Sequence, residues 1–390
     1  MRASETEKRA LTQPSRRLEV VPAYMFAELE RRVAEKRQAG IDVISLGIGD
    51  PDRATYPHIV EAMRTAVADP ANHSYPSNRG REEFRRACAS FYKGRFGVEI
   101  DPESEVMPAI GAKECIYNLC FAFLDSGDVA LAADPGYPVY AGGPTLAGAE
   151  VALLALRPEL DFTPDLDAIP GEALARARLM FLNYPNNPTG AVAPEGFFEQ
   201  VVEFAREHEI LVVHDNAYSE TTYDGYVAPS FLETPGAKEV GVEVFSLSKG
   251  FNMTGWRCAA ILGNAEAISS YWRLKTNIDS GLFDAVQLAA AAALEEMNAI
   301  YERRRDLVIS ALGAIGVEVA PPQGTIYVWA PVPEGHTSTS FCELVLEEAA
   351  VVVSPGSMYG PTGEGFFRIS LTTPDERLVE GLERMREHLA

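Results

Sequence analysis

The chain has 390 residues, 47% of them hydrophobic and 23% charged, and a formal net charge of −22. That length suits two domains, or one large α/β domain with an appendage, in an ordinary globular composition. The negative charge argues against nucleic acid and anionic membrane as partners, and five cysteines without a CxxC pair fit a reducing cytoplasm better than a disulfide framework or a zinc site.

Residues 1–17 are polar and lack the apolar core of a secretory signal. Tyr24 to Gln38 reads as an amphipathic helix with Phe26, Leu29 and Val33 on one face. Asp42 to Asp50 is a short strand running into a glycine turn. Short apolar runs then alternate with helical patterns: 129–133, 151–155, 179–183, 210–215 and 242–247. Such strands, separated by helices, predict a mostly parallel sheet with its ligand at the carboxyl ends of the strands. Asn187, Asp215 and Lys249 fall at those ends. Beyond about residue 285 the pattern changes. A long helix over 284–311, strand-like segments at 325–329 and 366–370, and a closing helix over 375–389 predict a smaller α+β domain. The expected division is an N-terminal segment 1–45 packing with the small domain, a large domain 46–285 and a small domain 286–390. The apolar run 288–294 is too short to span a bilayer.

The segment Ser246-Leu-Ser-Lys-Gly-Phe-Asn-Met-Thr-Gly-Trp-Arg257 sets one of only seven lysines beside two hydroxyls, with an arginine eight residues on. A nucleophilic amine next to an anion site suits an aldehyde cofactor that carries a phosphate. The competing reading is a solvated lysine at a strand end. Each candidate also has a plainer reading: Asp215 as an N-cap or turn acid after a strand, Tyr218 as a half-buried tyrosine, Lys113 as a solvated helix residue and Tyr137 as a turn tyrosine. Arg368, inside the apolar Phe366-Phe-Arg-Ile-Ser370, is costly there without an anionic partner.

Four motifs in order, Tyr184-Pro-Asn-Asn-Pro-Thr-Gly190, His214-Asp-Asn-Ala-Tyr218, Ser246–Arg257 and Phe366-Phe-Arg-Ile-Ser370, together resemble the class I/II pyridoxal-phosphate aminotransferases of fold type I. The resemblance runs from Pro22 to the end. It implies a large domain with a mostly parallel seven-stranded sheet, a smaller α+β domain, and pyridoxal 5′-phosphate as cofactor. Lys249 would hold the cofactor and serve as the base, Asp215 would pair with its ring nitrogen, and Asn187 and Tyr218 would donate to its phenolic oxygen. Ser246, Arg257, Ser248 and the helix start Gly111-Ala112-Lys113 would hold the phosphate, with Tyr75 of the partner subunit of a homodimer, and Tyr137 would stack on the ring. Arg368 would grip the substrate α-carboxylate with the Gly49 amide, while Asn277 and Tyr24 would approach the distal end. No metal is implied.

Val21-Pro-Ala-Tyr-Met-Phe26, Ser45-Leu-Gly-Ile-Gly-Asp-Pro-Asp52 and Lys275-Thr-Asn-Ile-Asp-Ser-Gly281 most resemble the bacterial LL-diaminopimelate aminotransferases. These exchange an amino group between LL-diaminopimelate and 2-oxoglutarate by a ping-pong mechanism, serving lysine biosynthesis. Ala23, Met25 and Arg53-Ala54 depart from that pattern. A relative acting on aspartate, alanine, an aromatic amino acid or a specialised metabolite stays open, as does a lyase or decarboxylase on the same scaffold. A transcription regulator would need an added DNA-binding module, for which the residues before the first helix leave no room.

Overall fold

The computed structural model describes residues 12, 14–19, 26–294 and 301–389. A helix over Phe26–Gln38 leads to β1 (Ile44–Ser45). The following strands are β2 (Val106–Ala109), β3 (Val129–Asp134), β4 (Glu150–Ala155), β5 (Ala177–Leu182), β6 (Leu211–Asn216), β7 (Gly241–Ser246) and β8 (Ala259–Gly263). They form a seven-stranded sheet in the order β2-β8-β7-β6-β5-β3-β4. From β7 to β4 all pairings are parallel, and β8 runs against both of its neighbours. The mostly parallel seven-stranded sheet is the one the sequence led us to expect.

Every residue of β7 is buried, as are five of the six in β5, because helices cover both faces. The pleat decides which residues reach which side. Val213 packs with Ile116, Leu119 and Tyr140 on one face, while Val212 packs with Phe198, Val201 and Phe231 on the other. Asp215 therefore shares the face of Val213, and His214 and Asn216 share that of Val212. On that second face Glu243 is wholly buried and receives His214 Nδ1 (2.7 Å), Tyr92 Oη (2.6 Å), Asn216 Nδ2 (2.9 Å), Ser230 Oγ (2.9 Å) and the Phe231 amide (2.9 Å). Burial pushes its carboxyl up, but His214 and the other donors outweigh this and hold it below the usual range.

The C-terminal part carries β9 (Tyr327–Pro331), β10 (Val351–Val352), β11 (Ser354–Pro355) and β12 (Phe366–Ser370). An antiparallel sheet runs β11-β12-β9, and β1 pairs in parallel with β10. Helices Tyr301–Ala314, Ser338–Glu348 and Asp375–Leu389 close a second core around Val308, Phe341, Val345, Phe367, Ile369 and Leu378. The N-terminal helix joins it through Arg32, bonded to Glu343 (2.7 Å) and Glu347 (3.1 Å), and Lys36, bonded to Glu347 (2.7 Å). Bonding to this body carries on past residue 45, beginning with Ser370 N donating to Leu46 O at 2.6 Å.

Several elements differ from the sequence reading: β2 and β8 are not among the expected strands, and the strand expected at 325–329 is β9, at Tyr327–Pro331. The helix expected over 284–311 is described as Asp284–Ala293 and Tyr301–Ala314, and 295–300 lie outside the described residues. Strand β2 gave no strand signal because Pro108 sits in it; the edge position of β2 in the sheet is what tolerates a proline. Among the described residues no helix is long and apolar enough to cross a membrane.

Candidate active site

The carboxyl ends of β5, β6 and β7 lie side by side, and they and the loops leaving them carry Asn187, Asp215, Tyr218, Ser246, Ser248 and Lys249. Asn183, just after β5, fastens two of these ends: its Nδ2 donates to Asp215 O (2.7 Å) and its Oδ1 accepts from Asn187 N (2.7 Å).

Asp215 is 5% exposed. Its Oδ2 accepts from Tyr140 Oη at 2.7 Å, and its Oδ1 is buried without a partner. Burial pushes the carboxyl up from an ordinary 3.8 to about 6, against the smaller downward pull of Tyr140 and His214. A buried carboxylate with one oxygen unsatisfied is a receptor for a cationic N–H. The sign of the linkage follows. In the cofactor-free protein the stabilising contribution of the protonated Asp215 is whole below pH 3.8 and is lost as pH rises through about 6. At about 1.4 kcal/mol per pH unit this amounts to about 3 kcal/mol. Cofactor-free wild type should therefore lose thermal stability relative to Asp215→Asn between pH 5 and pH 8, and added cofactor should restore it; melting curves of both proteins at the two pH values measure this. A difference that does not change with pH would contradict it.

An anion cup lies alongside. The helix Ala112–Phe123 begins at Gly111, whose φ of 78° is open to glycine. A Cβ there would stand 2.3 Å from Arg257 Nη2, so the guanidinium packs directly against the helix N-terminus and its unpaired amides. Pairing of Ser246 with Ala259 across β7 and β8 sets Ser246 near Arg257, and Ser246 Oγ accepts from Ser248 N at 3.2 Å. Arg257 Nη1 donates to Thr254 O at 2.6 Å. Glu114 fixes the helix start, taking the Ile110 amide (3.0 Å) and the buried Lys275 ammonium (3.0 Å). Lys113 points to solvent.

On the other side stands Arg368, 4% exposed. Its Nη1 donates to Asn187 Oδ1 (3.0 Å) and its Nη2 to Gly47 O (2.7 Å), while Nε has no partner. Its guanidinium carbon lies 3.8 Å from the Tyr327 ring centre and 4.7 Å from that of Tyr359. Among the described residues no carboxylate forms an ion pair with it. Tyr327 Oη accepts from Tyr218 Oη at 3.5 Å and packs so closely on Gly49 that a Cβ there would stand 1.9 Å away. Burial pushes the Tyr327 phenol up, but Arg368 and Lys249 outweigh it and hold it below the ordinary tyrosine value; Tyr218 is pushed up by burial. Lys249 Nζ donates to the Gly49 carbonyl. At this loop the carbonyls of Gly47, Ile48 and Gly49 all accept bonds, whereas the sequence reading singled out the Gly49 amide.

Tyr137 is half-buried, edge-on to Tyr140 with ring centres 5.9 Å apart. Tyr75 is 89% exposed, and Asn277 is exposed with its Nδ2 bonded to Arg273 O at 2.9 Å, so neither joins the cluster within one chain. Tyr24 lies outside the described residues. Sequence reasoning passed over Tyr140, Tyr327 and Tyr359. Tyr140 carried one faint signal, standing one helical turn after Tyr137; the other two carried none.

The donor set suits pyridoxal 5′-phosphate. The orphaned Asp215 Oδ1 matches a protonated ring nitrogen, the Gly111–Arg257 cup matches a phosphate, and the Lys249 amine matches an aldehyde. A family profile described as aminotransferase class I and II matches residues 41–385. The chain is 54% identical to the LL-diaminopimelate aminotransferase of Desulforudis audaxviator, over 95% of this chain and 97% of that one. It is 50% identical to the enzyme of the same name from Moorella thermoacetica, over 97% and 98%. The solved structure of apo-BacF from Bacillus subtilis superposes with a TM-score of 0.93 at 39% identity, covering 97% of this chain and 98% of that one.

Proposed function

The chain belongs to the class I and II aminotransferases, which depend on pyridoxal 5′-phosphate, and on that premise we propose that it moves an amino group from LL-diaminopimelate to 2-oxoglutarate. Half-identity over nearly the whole chain to two enzymes named for that donor supports the choice. The bound cofactor supplies an aldehyde that takes up the amino group and a ring that draws off the electron pair left at the substrate Cα. In this reading Lys249 carries the cofactor and, once free, its Nζ takes the proton from Cα and hands it on. Asp215 keeps a proton on the ring nitrogen, with Tyr140 holding its other oxygen. Asn187 and Tyr218 donate to the phenolic oxygen. Ser246, Ser248, Arg257 and the amides of Gly111 and Ala112 hold the phosphate, with Lys113 adding charge at the rim and Tyr137 covering the ring.

Arg368 is the observation that carries the substrate side. A buried guanidinium between two tyrosines, without a carboxylate among the described residues, calls for an external one. An amino-acid α-carboxylate meets that need, with the Gly49 amide assisting and Asn277 and Tyr24 toward the distal end. Exposure of Tyr75 supports a homodimer in which Tyr75 of the partner subunit reaches the phosphate. Five buried free cysteines support a cytoplasmic location.

A panel of amino donors against 2-oxoglutarate tests the proposal. LL-diaminopimelate should give the highest kcat/KM; an inert LL-diaminopimelate beside a fast aspartate, alanine or aromatic donor would overturn the donor assignment. Amino donor alone should convert the cofactor to its amine form, which a lyase or decarboxylase would not do.

A further inference from the structure

The loop that touches both Arg368 and Lys249 is itself held from behind by a buried ion pair. Arg304, on the helix Tyr301–Ala314, is 1% exposed. Its Nη1 and Nη2 donate to Asp52 Oδ1 (2.6 Å) and Oδ2 (2.9 Å), the two-pronged geometry that suits guanidinium and carboxylate. Its Nε donates to Asp375 Oδ1 (2.6 Å), and Nη1 also donates to Leu371 O (2.8 Å). One side chain thus joins the end of the 46–52 loop to the residue that follows β12 and to the first residue of the last helix.

Both of those attachments lead to the substrate site. Leu371 lies three residues after Arg368. In the loop, Gly47 O accepts from Arg368 Nη2 (2.7 Å) and Ser354 Oγ (2.8 Å), Ile48 O accepts from Thr372 Oγ1 (3.1 Å), and Gly49 O accepts from Lys249 Nζ. Beyond Asp52 the chain soon joins the lysine segment, where Thr55 Oγ1 donates to Asn252 O at 2.6 Å. Asp52 is therefore the last point at which the loop is tied to the body that carries Arg368. Released there, Gly47 to Gly49 would keep only bonds made by the residues they serve and by two hydroxyls.

We propose that Asp52 and Arg304 are positioning residues for the amino-acid substrate: their pair fixes the Gly47–Gly49 loop and the strand end bearing Arg368 as one unit, so that both meet the α-carboxylate in register. This rests on Arg368 as the carboxylate clamp. The pair touches neither the anion cup nor Asp215, so it acts on substrate affinity and not on cofactor retention.

The test uses the holoenzyme with L-glutamate as probe donor, comparing wild type with Asp52→Asn, Arg304→Lys and Arg368→Lys. Asp52→Asn should fold, because Asp375 still partners Arg304. It should raise the KM for L-glutamate about 10-fold with kcat changed less than about 3-fold, and leave the visible absorbance of the bound cofactor unaltered. Arg304→Lys, which keeps the charge and loses the fork, should move KM in the same direction. An unchanged KM in either folded variant would overturn the proposal, as would loss of cofactor together with a parallel fall in kcat. Should Asp52→Asn fail to fold, Arg304→Lys decides on the same readouts. If Arg368→Lys leaves the L-glutamate KM at the wild-type value, it is the reading of Arg368 as carboxylate clamp that fails.

Discussion

Lys249→Ala should lower kcat about 10,000-fold or more, because in the proposed function one amine both carries the cofactor and moves the Cα proton. The visible absorbance of covalently held cofactor should vanish with it. The fold should survive. Lys249 is only half-buried and its recorded bond is to a single backbone carbonyl, that of Gly49, so truncation costs about 1 kcal/mol. Circular dichroism and melting temperature separate loss of chemistry from loss of structure. A variant that is folded and keeps activity within tenfold of wild type would remove Lys249 from the mechanism.

Asp215→Ala should show the opposite division between cofactor and rate. Lys249 and the Gly111–Arg257 cup would still hold the cofactor, and its absorbance should persist. The rate should fall on the order of 1,000-fold, corresponding to removal of one partner from a buried charge pair at about 3–5 kcal/mol. Tyr140 cannot take over, since its buried hydroxyl is pushed well above the ordinary tyrosine value, chiefly by desolvation, and stays neutral. Steady-state kcat and the absorbance spectrum of the same preparation provide both readouts. Loss of cofactor at unchanged specific activity per bound cofactor would contradict the assigned role.

The sequence carried these two residues plainly and others hardly at all, for physical reasons. Apolar runs buried on both faces announce β5, β6 and β7, and a polar residue at the end of each stands out against them. Segment 366–370 and helix 375–389 lie where their patterns put them. Tyr140 meets Asp215 across 75 residues, and Tyr327 reaches Tyr218 across 109; each is an ordinary tyrosine among apolar neighbours until the chain folds. The motif His214-Asp-Asn-Ala-Tyr218 hid a further fact. Strand pleating sends His214 and Asn216 away from Asp215 to the buried Glu243, so adjacent residues of one motif serve different faces of the sheet. Arg257 and Gly111 illustrate the same limit, since their closeness belongs to the packing of a helix start on the β7–β8 turn. Asp52 was visible only as part of a subfamily motif, and its tie to Arg304 spans 252 residues.

The central claim is that Lys249 anchors the cofactor in this cluster. Fixing the holoenzyme with borohydride, digesting it and mapping the cofactor mass by peptide mass spectrometry tests this directly. One modified peptide is expected, containing Lys249, with the six other lysines unmodified. Cofactor found on another lysine while Lys249 remains free would contradict it.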